Sequence, residues 1–398
     1  MRPLAISAAT ASSCLGLGLE AHGAALRTGK SGLAPCRFES AALETFVGEI
    51  PGVDEARLPP ALAAFDCRNN RAAELALAHD GFEEAVRAAA SRHGRERIGV
   101  FLGTSTSGIL QTELAYRRRD PGNGSLPADF DYRRTHNTFS IAEYVRTRLA
   151  LEGPCAAIST ACSSSAKSFA SAARLIAAGA IDAAIVGGVD TLCLTTLYGF
   201  GSLGLLSPAP CRPYDAERDG ISIGEGAAFF LLERAPDDDE RIALLGAGES
   251  SDAWHMSAPH PEGRGARMAM AGALRSAALL SEDIDYVNLH GTATKSNDAA
   301  EDLAVTALFG DRVACNSTKG MTGHALGAAG AIEAALALLC IREGRVPPGA
   351  GTRRLDPQLR ARYEIAGGPR HVERVLSNSF GFGGSNCSLV FGRPESPR

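Results

Sequence analysis

Aromatic side chains are scarce in this chain: 6% of 398 residues, with a single tryptophan. Large rings therefore do little of the core filling, while 44 glycines and abundant alanine favour backbone packed on backbone. Layered α/β folds pack in that way. The ten cysteines include no CxxC pair and no Cys/His group at metal-ligand spacing, so no metal site and no bound cofactor is expected. Thiols scattered singly stay reduced in a large cytoplasmic protein, and that is the expected location. No run of about 20 apolar residues exists, so no membrane span is expected. An excess of positive charge is also missing: 40 Lys and Arg stand against 45 Asp and Glu, a net −5 that argues against nucleic acid as the main partner. The start, Met1 to Cys14, has one basic residue, many Ser and Thr, and no strongly apolar middle. It does not read as a secretory leader.

What is present is a soluble globular profile, 45% apolar and 21% charged, long enough for a large core. Short β-branched or apolar runs that end at glycine or polar residues predict strands at Ile98–Leu102, Ala156–Ile158, Ile181–Val186, Ala227–Leu232 and Tyr286–Leu289. Alanine-rich stretches with helical spacing lie between them, such as Ala166 to Ala177, with Gly179 suited to the C-terminal cap. A faint repeat runs through the chain. Ile98 to Thr106 reads like Ile284 to Thr294, and Ile158-Ser159-Thr160-Ala161-Cys162 with its small-residue helix reads like Cys315-Asn316-Ser317-Thr318-Lys319 with another. Matching Gly103 to Gly291 and Ser159 to Ser317 leaves the first half about 30 residues longer between its motifs. That excess falls in an arginine-rich insertion of about 109–150. Duplicated halves of 1–240 and 241–398 would divide at the acidic linker Pro236 to Glu240.

Several residues are candidates for chemistry. Cys162 follows a strand and precedes a helix, and the unpaired N–H groups of a helix start favour a thiolate nucleophile. An inert buried cysteine is the plain alternative. His290 ends a strand before Gly291, and His324 sits among Gly320, Gly323 and Gly327, where a substrate can come close to the backbone. Either ring is also explained by a backbone carbonyl partner. The helix expected from Ala325 to Ile341 is apolar except for Glu333, which needs a partner; Lys319 is the natural one, in a structural or catalytic pair. The segment Asn378 to Gly384 ends in a glycine-rich loop without the lysine and spacing of a nucleotide loop. It suits backbone N–H groups facing an oxyanion, with Phe380 as a movable plug.

Taken together, Thr160-Ala161-Cys162-Ser163-Ser164, His290-Gly291-Thr292-Ala293-Thr294, Lys319 to Gly327 and Asn378 to Gly384 resemble the β-ketoacyl-acyl-carrier-protein synthases of the thiolase superfamily. Pro213-Tyr214-Asp215, Arg218-Asp219-Gly220 and Ser251 to Met256 add to the resemblance, which spans essentially the whole chain. It implies a thiolase-like five-layer α-β-α-β-α fold of two related halves. It also implies decarboxylative Claisen condensation of an acyl-enzyme thioester on Cys162 with malonyl-carrier. His290 and His324 would bind the malonyl carbonyl, Lys319 and Glu333 would orient them, and the N–H groups of Cys162 and Phe380 would hold the oxyanion. Thr292 and Thr294 would bond the phosphopantetheine arm carried by the acyl carrier protein. Ile109, Phe139, Phe200, Gly381 and Phe382 would line the substrate pocket.

The Cys/His/His set resembles elongating synthases, and the segments Leu102 to Gly108 and Ala161 to Phe169 look most like the synthases of aryl polyene pigment clusters. The expected assembly is a homodimer, or a heterodimer with a chain-length-factor-like ketosynthase. The chain departs from the housekeeping fatty-acid enzymes in lacking a basic cluster before Phe65-Asp66, where only Arg57 is near, and in having Pro208-Ala209-Pro210 after Leu206-Ser207. Arg68, Arg71, Arg117, Arg118 and Arg119 offer a substitute patch for an acidic carrier. Lys295 stands where a proline is usual. Two other readings exist. A thiolase-type acyl-CoA condensing enzyme needs a second cysteine in the final loop, and a non-catalytic chain-length-factor subunit usually lacks the nucleophile.

Overall fold

The computed structural model describes residues 1–234 and 241–394; the expected linker at 236–240 lies outside them. Ten strands of the main eleven-stranded sheet fall into two groups of five. The first group comprises β1 (Leu4–Ser13), β2 (Ile98–Gly103), β3 (Cys155–Ile158), β4 (Ala183–Asp190) and β5 (Gly226–Arg234). The second comprises β6 (Ala243–Ser251), β7 (Tyr286–Asn288), β8 (Ala314–Asn316), β9 (Arg374–Gly381) and β10 (Ser385–Gly392). Their spatial orders are β1-β5-β4-β2-β3 and β6-β10-β9-β7-β8, the same path twice. The pairings match as well: antiparallel, antiparallel, parallel, parallel in each. Within this sheet the two groups of described strands are joined where β1 pairs with β6, Leu4 to Leu244 and Ala5 to Ala243. The two sequence repeats thus occupy equivalent places, β2 with β7 and β3 with β8. The run weighed as a leader is β1, at the centre of the sheet.

Burial on both faces explains why these strands read as nearly continuous apolar runs. Ile98, Val100 and Leu102 of β2 point into an outer cluster with α1 (Arg68–Leu77) and the helices Phe82–His93 and Ser140–Arg148. Phe101, between them, points the other way, with Ala184, Val186, Ala228 and Phe230, onto a central helix pair. That pair is α2 (Ser164–Ala177) and α3 (Ala329–Glu343); strand residues from both halves, including Val375 and Leu389, close over it. A second outer cluster covers the other half with the helix Arg264–Ala277 and the helix Lys295–Phe309. The order is helix, sheet, helix, sheet, helix: five layers of two related halves.

The expected helix from Ala325 to Ile341 is shorter in the structure. A 3-10 turn occupies Leu326–Ala328, with Leu326 at φ 48°, and α3 runs Ala329–Glu343. Gly179, at φ 73°, follows α2 and terminates it as its conformational freedom predicts. No described helix is long and apolar enough to cross a membrane.

Candidate active site

Strand β3 ends at Ile158, and the chain turns sharply through Ala161, at φ 53°, before Cys162 and the start of α2. A left-handed alanine is uncommon and costs energy, so the surroundings must impose it. They do so through Ser164, whose Oγ accepts from Thr160 N at 2.9 Å and donates to Ala161 O at 2.5 Å. Gly381 packs against this turn from the other half of the molecule. A Cβ there would lie 2.7 Å from Thr160 O and 3.3 Å from Cys162 N, so only glycine permits the approach.

His324 comes from the turn before α3 and places Nε2 3.1 Å from Cys162 Sγ. His290, at the end of β7, meets it edge-on, the ring centroids 5.2 Å apart. The thiol and one nitrogen of each ring lie within 4.8 Å of one another, all buried. Lys319 supports this centre from beneath. Its Nζ donates to His290 O at 2.5 Å, faces His290 Nδ1 at 3.4 Å, and pairs closely with the Glu333 carboxylate. An ammonium can only donate, so Nδ1 of His290 is the acceptor and its proton sits on Nε2. The expected Lys319–Glu333 pair therefore exists, at 1% and 2% exposure.

Burial first, then the charge of Lys319, holds both imidazoles well below their ordinary range, so both are neutral near pH 7. Burial also pushes the Cys162 thiol up to about 12, against the pull of Lys319 and of the Phe382 N–H. The helix start alone does not produce a resting thiolate, contrary to the sequence-based expectation, because the thiol is too dry. Instead the thiol rests against a neutral ring able to take its proton. The other nitrogen of that ring, His324 Nδ1, is buried with no hydrogen-bond partner among the described residues, so nothing there fixes the tautomer.

The backbone N–H that reaches the thiol belongs to Phe382, which corrects the expectation for Phe380. Phe380 is still inside β9, paired with Asn386, and its ring is buried 5.7 Å from that of His290. Strand pairing ends at Gly381, and Phe382 enters the turn with its ring at the cleft mouth, 36% exposed and 5.7 Å from Phe200. The cleft itself is about 60 Å³ and is lined by Cys162, both histidines, Thr292, Thr294 and Phe200, among others. Thr292 and Thr294 share a hydroxyl contact of 3.0 Å.

Two expected pocket residues lie elsewhere. Ile109 packs in the same apolar cluster as Phe200 but does not line the cleft. Phe139 is 38% exposed, because the helix it precedes buries Ile141, Tyr144 and Val145 and turns Phe139 outward. The carrier patch also needs correcting. Arg68 is 4% exposed, bonded through Nε to Glu225 at 2.6 Å and through Nη1 to Asp54 at 2.6 Å. Arg71 pairs with Asp66 at 2.6 Å, whereas Arg117, Arg118 and Arg119 are exposed. Lys295 is exposed at the first turn of its helix.

Sequence reasoning missed Glu301. Its carboxylate accepts from His290 N at 2.8 Å and Gly291 N at 2.7 Å and from Asn378 Nδ2 at 3.0 Å, holding the His290 turn. Burial pushes it up to about 7. The available signal was Asp298 and Glu301 on one face of a helix that must pack inward.

The Beta-ketoacyl synthase N-terminal domain family matches residues 1–238 and the corresponding C-terminal domain family matches 242–353. A 3-oxoacyl-[acyl-carrier-protein] synthase 2 of Coxiella burnetii is 34% identical, over 93% of this chain and 93% of its own length. That of Rhizobium meliloti is 37% identical over 81% and 79%. Among solved structures, a ketosynthase (ApeO) in complex with its chain length factor (ApeC) from Xenorhabdus doucetiae superposes with a TM-score of 0.89, 39% identical, covering 99% of this chain and 98% of that one. The repeated five-strand path, the Cys/His/His centre and these matches over the full length agree: the chain belongs to the β-ketoacyl synthases.

Proposed function

We propose that this β-ketoacyl synthase extends carrier-bound acyl chains by decarboxylative condensation, with Cys162 as nucleophile and His290 and His324 as the malonyl-binding pair. The observation that carries the assignment is the meeting of one thiol with two neutral imidazoles in a dry cleft. In the first half-reaction Sγ attacks the acyl thioester and gives its proton to His324 Nε2. The tetrahedral oxyanion faces the N–H groups of Cys162 and Phe382, and the carrier's pantetheine thiol leaves with the proton. Because His324 Nδ1 has no partner among the described residues, the ring can exchange through water to its Nε2–H tautomer between the half-reactions, and in the second the malonyl thioester carbonyl accepts from Nε2–H of both histidines. Its carboxylate departs as carbon dioxide, and the bonding pair becomes an enolate held by those donors. The enolate carbon attacks the acyl carbon, and collapse expels the Cys162 thiolate, which takes one proton from solvent to restore the resting thiol. Decarboxylation supplies the carbanion, so no strong base is needed and neutral donors suffice.

The cleft is narrow, about 60 Å³, and the rings of Phe200 and Phe382 stand 5.7 Å apart along it, so these two rings would part to admit an acyl chain. Phe382 sits between Gly381 and Gly383, the latter at φ 79°, which gives its turn freedom to swing. Thr292 and Thr294 lie where the phosphopantetheine arm enters. No cofactor of the protein's own takes part. The partner is an acyl carrier protein, as the relatives' names state for them, and the product class is an aryl polyene or a related polyketide, by likeness to the ketosynthase ApeO. That relative was solved with a chain length factor. A second ketosynthase-like chain is proposed here at the open edge of β3, whose four residues are all half-buried. Purification as a fully active homodimer would overturn the heterodimer.

The thiolase-type alternative finds no second cysteine here: Cys387 lies in β10 and faces the central core. The test of the half-reactions uses His290→Ala. Acylation of Cys162 is expected to continue while release of carbon dioxide from malonyl-carrier stops. Loss of both, or continued release, would sink the assignment.

A further inference from the structure

Asp190 ends β4 and is fully buried, yet the chemistry above gives it no role. Its Oδ1 accepts from Thr104 Oγ1 at 2.7 Å, Thr106 N at 2.9 Å and Thr106 Oγ1 at 2.8 Å. Its Oδ2 accepts from Ser105 Oγ at 2.5 Å and, across the two halves of the molecule, from Gly327 N at 2.6 Å. Ser105 N reaches both oxygens, at 2.9 and 3.0 Å. Gly327 is three residues beyond His324. A Cβ on it would sit 2.7 Å from Oδ2, so the glycine is fitted to this carboxylate.

The turn so held is strained. Leu326 is left-handed, at φ 48°, a region that a bulky residue enters only when its surroundings compel it. Among the described residues the His324 ring has no anchor on Nδ1. Its aim at Cys162 is therefore set by its backbone, through His324 N to Ser222 O at 2.7 Å, Gly224 N to His324 O at 3.0 Å, and the strained turn that follows. The first two bonds fix only the entry to that turn. The exit rests on Gly327 N, which donates to Asp190 Oδ2 at 2.6 Å and, more weakly, to Ser105 Oγ at 3.3 Å.

We propose that Asp190 is a positioning residue for His324: by clamping Gly327 N it keeps the strained Leu326 turn closed and Nε2 directed at the Cys162 sulfur. The inference rests on the assignment of His324 to the condensation. Asparagine cannot substitute. If its Nδ2 faces Gly327 N, two donors meet; if it is flipped, Nδ2 meets the backbone N–H of Thr106 instead.

The test is a double-mutant cycle on purified full-length protein: wild type, Asp190→Asn, His324→Ala and the double variant, assayed for ketoacyl product from acyl- and malonyl-carrier. Active chains are counted by the acyl groups each preparation finally loads on Cys162. Asp190→Asn is expected to lower kcat about 10- to 100-fold, the cost of misplacing a reacting group by about 1 Å, with KM for malonyl-carrier unchanged. On the His324→Ala background the same substitution is expected to cost nothing further, because a residue acting only through His324 has nothing left to position. Multiplying losses in the double variant, or an unchanged kcat in the single, would overturn the proposal. Should Asp190→Asn fail to fold, Ser105→Ala/Thr106→Val takes its place in the cycle. That variant leaves the carboxylate but removes two of its anchors, and a smaller loss, again absent on His324→Ala, is expected. A wild type that forms no product, either alone or with a candidate partner subunit, would instead overturn the condensation reading.

Discussion

Replacing Glu333 by glutamine strands a buried cation. Lys319 is 1% exposed, and its remaining partners would be His290 O at 2.5 Å and the His290 Nδ1 at 3.4 Å. Keeping the ammonium charged without its carboxylate costs about 3–5 kcal/mol, as for other broken buried pairs, so Glu333→Gln is expected to lose about 4 kcal/mol. With a denaturant slope near 3 kcal/mol per molar, the urea midpoint falls by about 1 M. Removing both charges together, as Lys319→Met/Glu333→Leu, is expected to recover most of that loss, because packed apolar side chains tolerate the site better than one unpaired ion. Activity is expected to behave differently. The double variant has no donor facing His290 Nδ1, so condensation stays low although stability returns. Urea unfolding followed by circular dichroism, alongside product formation, checks both. A double variant as unstable as Glu333→Gln, or a Glu333→Gln protein as stable as wild type, would refute the ion-pair reasoning.

Three further outcomes follow from the site. Burial raises Glu301 from 4.5 to about 7, so the folded chain keeps a proton that the unfolded chain has already lost. Wild-type stability relative to Glu301→Gln should therefore decline as pH rises from about 4.5 to about 7, by roughly 3 kcal/mol, and a flat difference in paired denaturation curves would refute it. Alkylation of Cys162 by iodoacetamide, mapped by peptide mass, should keep accelerating above pH 9, since the thiol is pushed up to about 12; a plateau near the ordinary thiol value would contradict its burial. Gly381→Ala should cost about 1–3 kcal/mol and slow acylation, because the new Cβ meets Thr160 O at 2.7 Å in the turn that carries Cys162. Melting curves and acyl loading measure both.

Much of the centre was legible because the signals were local. Cys162 sits between a strand and a helix, and the lone carboxylate on an apolar helix pointed to Lys319. The repeat of β2 in β7 and of β3 in β8 anticipated the duplicated strand path. What was not legible depended on where pairing stops. Phe380 and Phe382 are two apart and lie on the same face of an ideal strand, so the alternation cannot tell which N–H meets the thiol; the end of the β9–β10 ladder at Gly381 decides it. Arg68 reads as a surface cation until Glu225, 157 residues away, is brought against it. The break at Leu326 was hidden because alanine-rich sequence supports a helix there, and only the tertiary clamp at Gly327 opposes it. Asp190 carries no local motif at all, since its donors come from two distant segments, Thr104 to Thr106 and Gly327.

The central claim, that Cys162 is the residue acylated before condensation, is tested most directly by intact-protein mass spectrometry. Wild type and Cys162→Ala would each be incubated with a panel of acyl-carrier-protein thioesters, with and without a candidate partner subunit. One acyl mass on wild type, absent from Cys162→Ala and discharged as ketoacyl product when malonyl-carrier is added, is the predicted result. No acyl mass on wild type with any donor, or an equal mass on Cys162→Ala, would contradict the account.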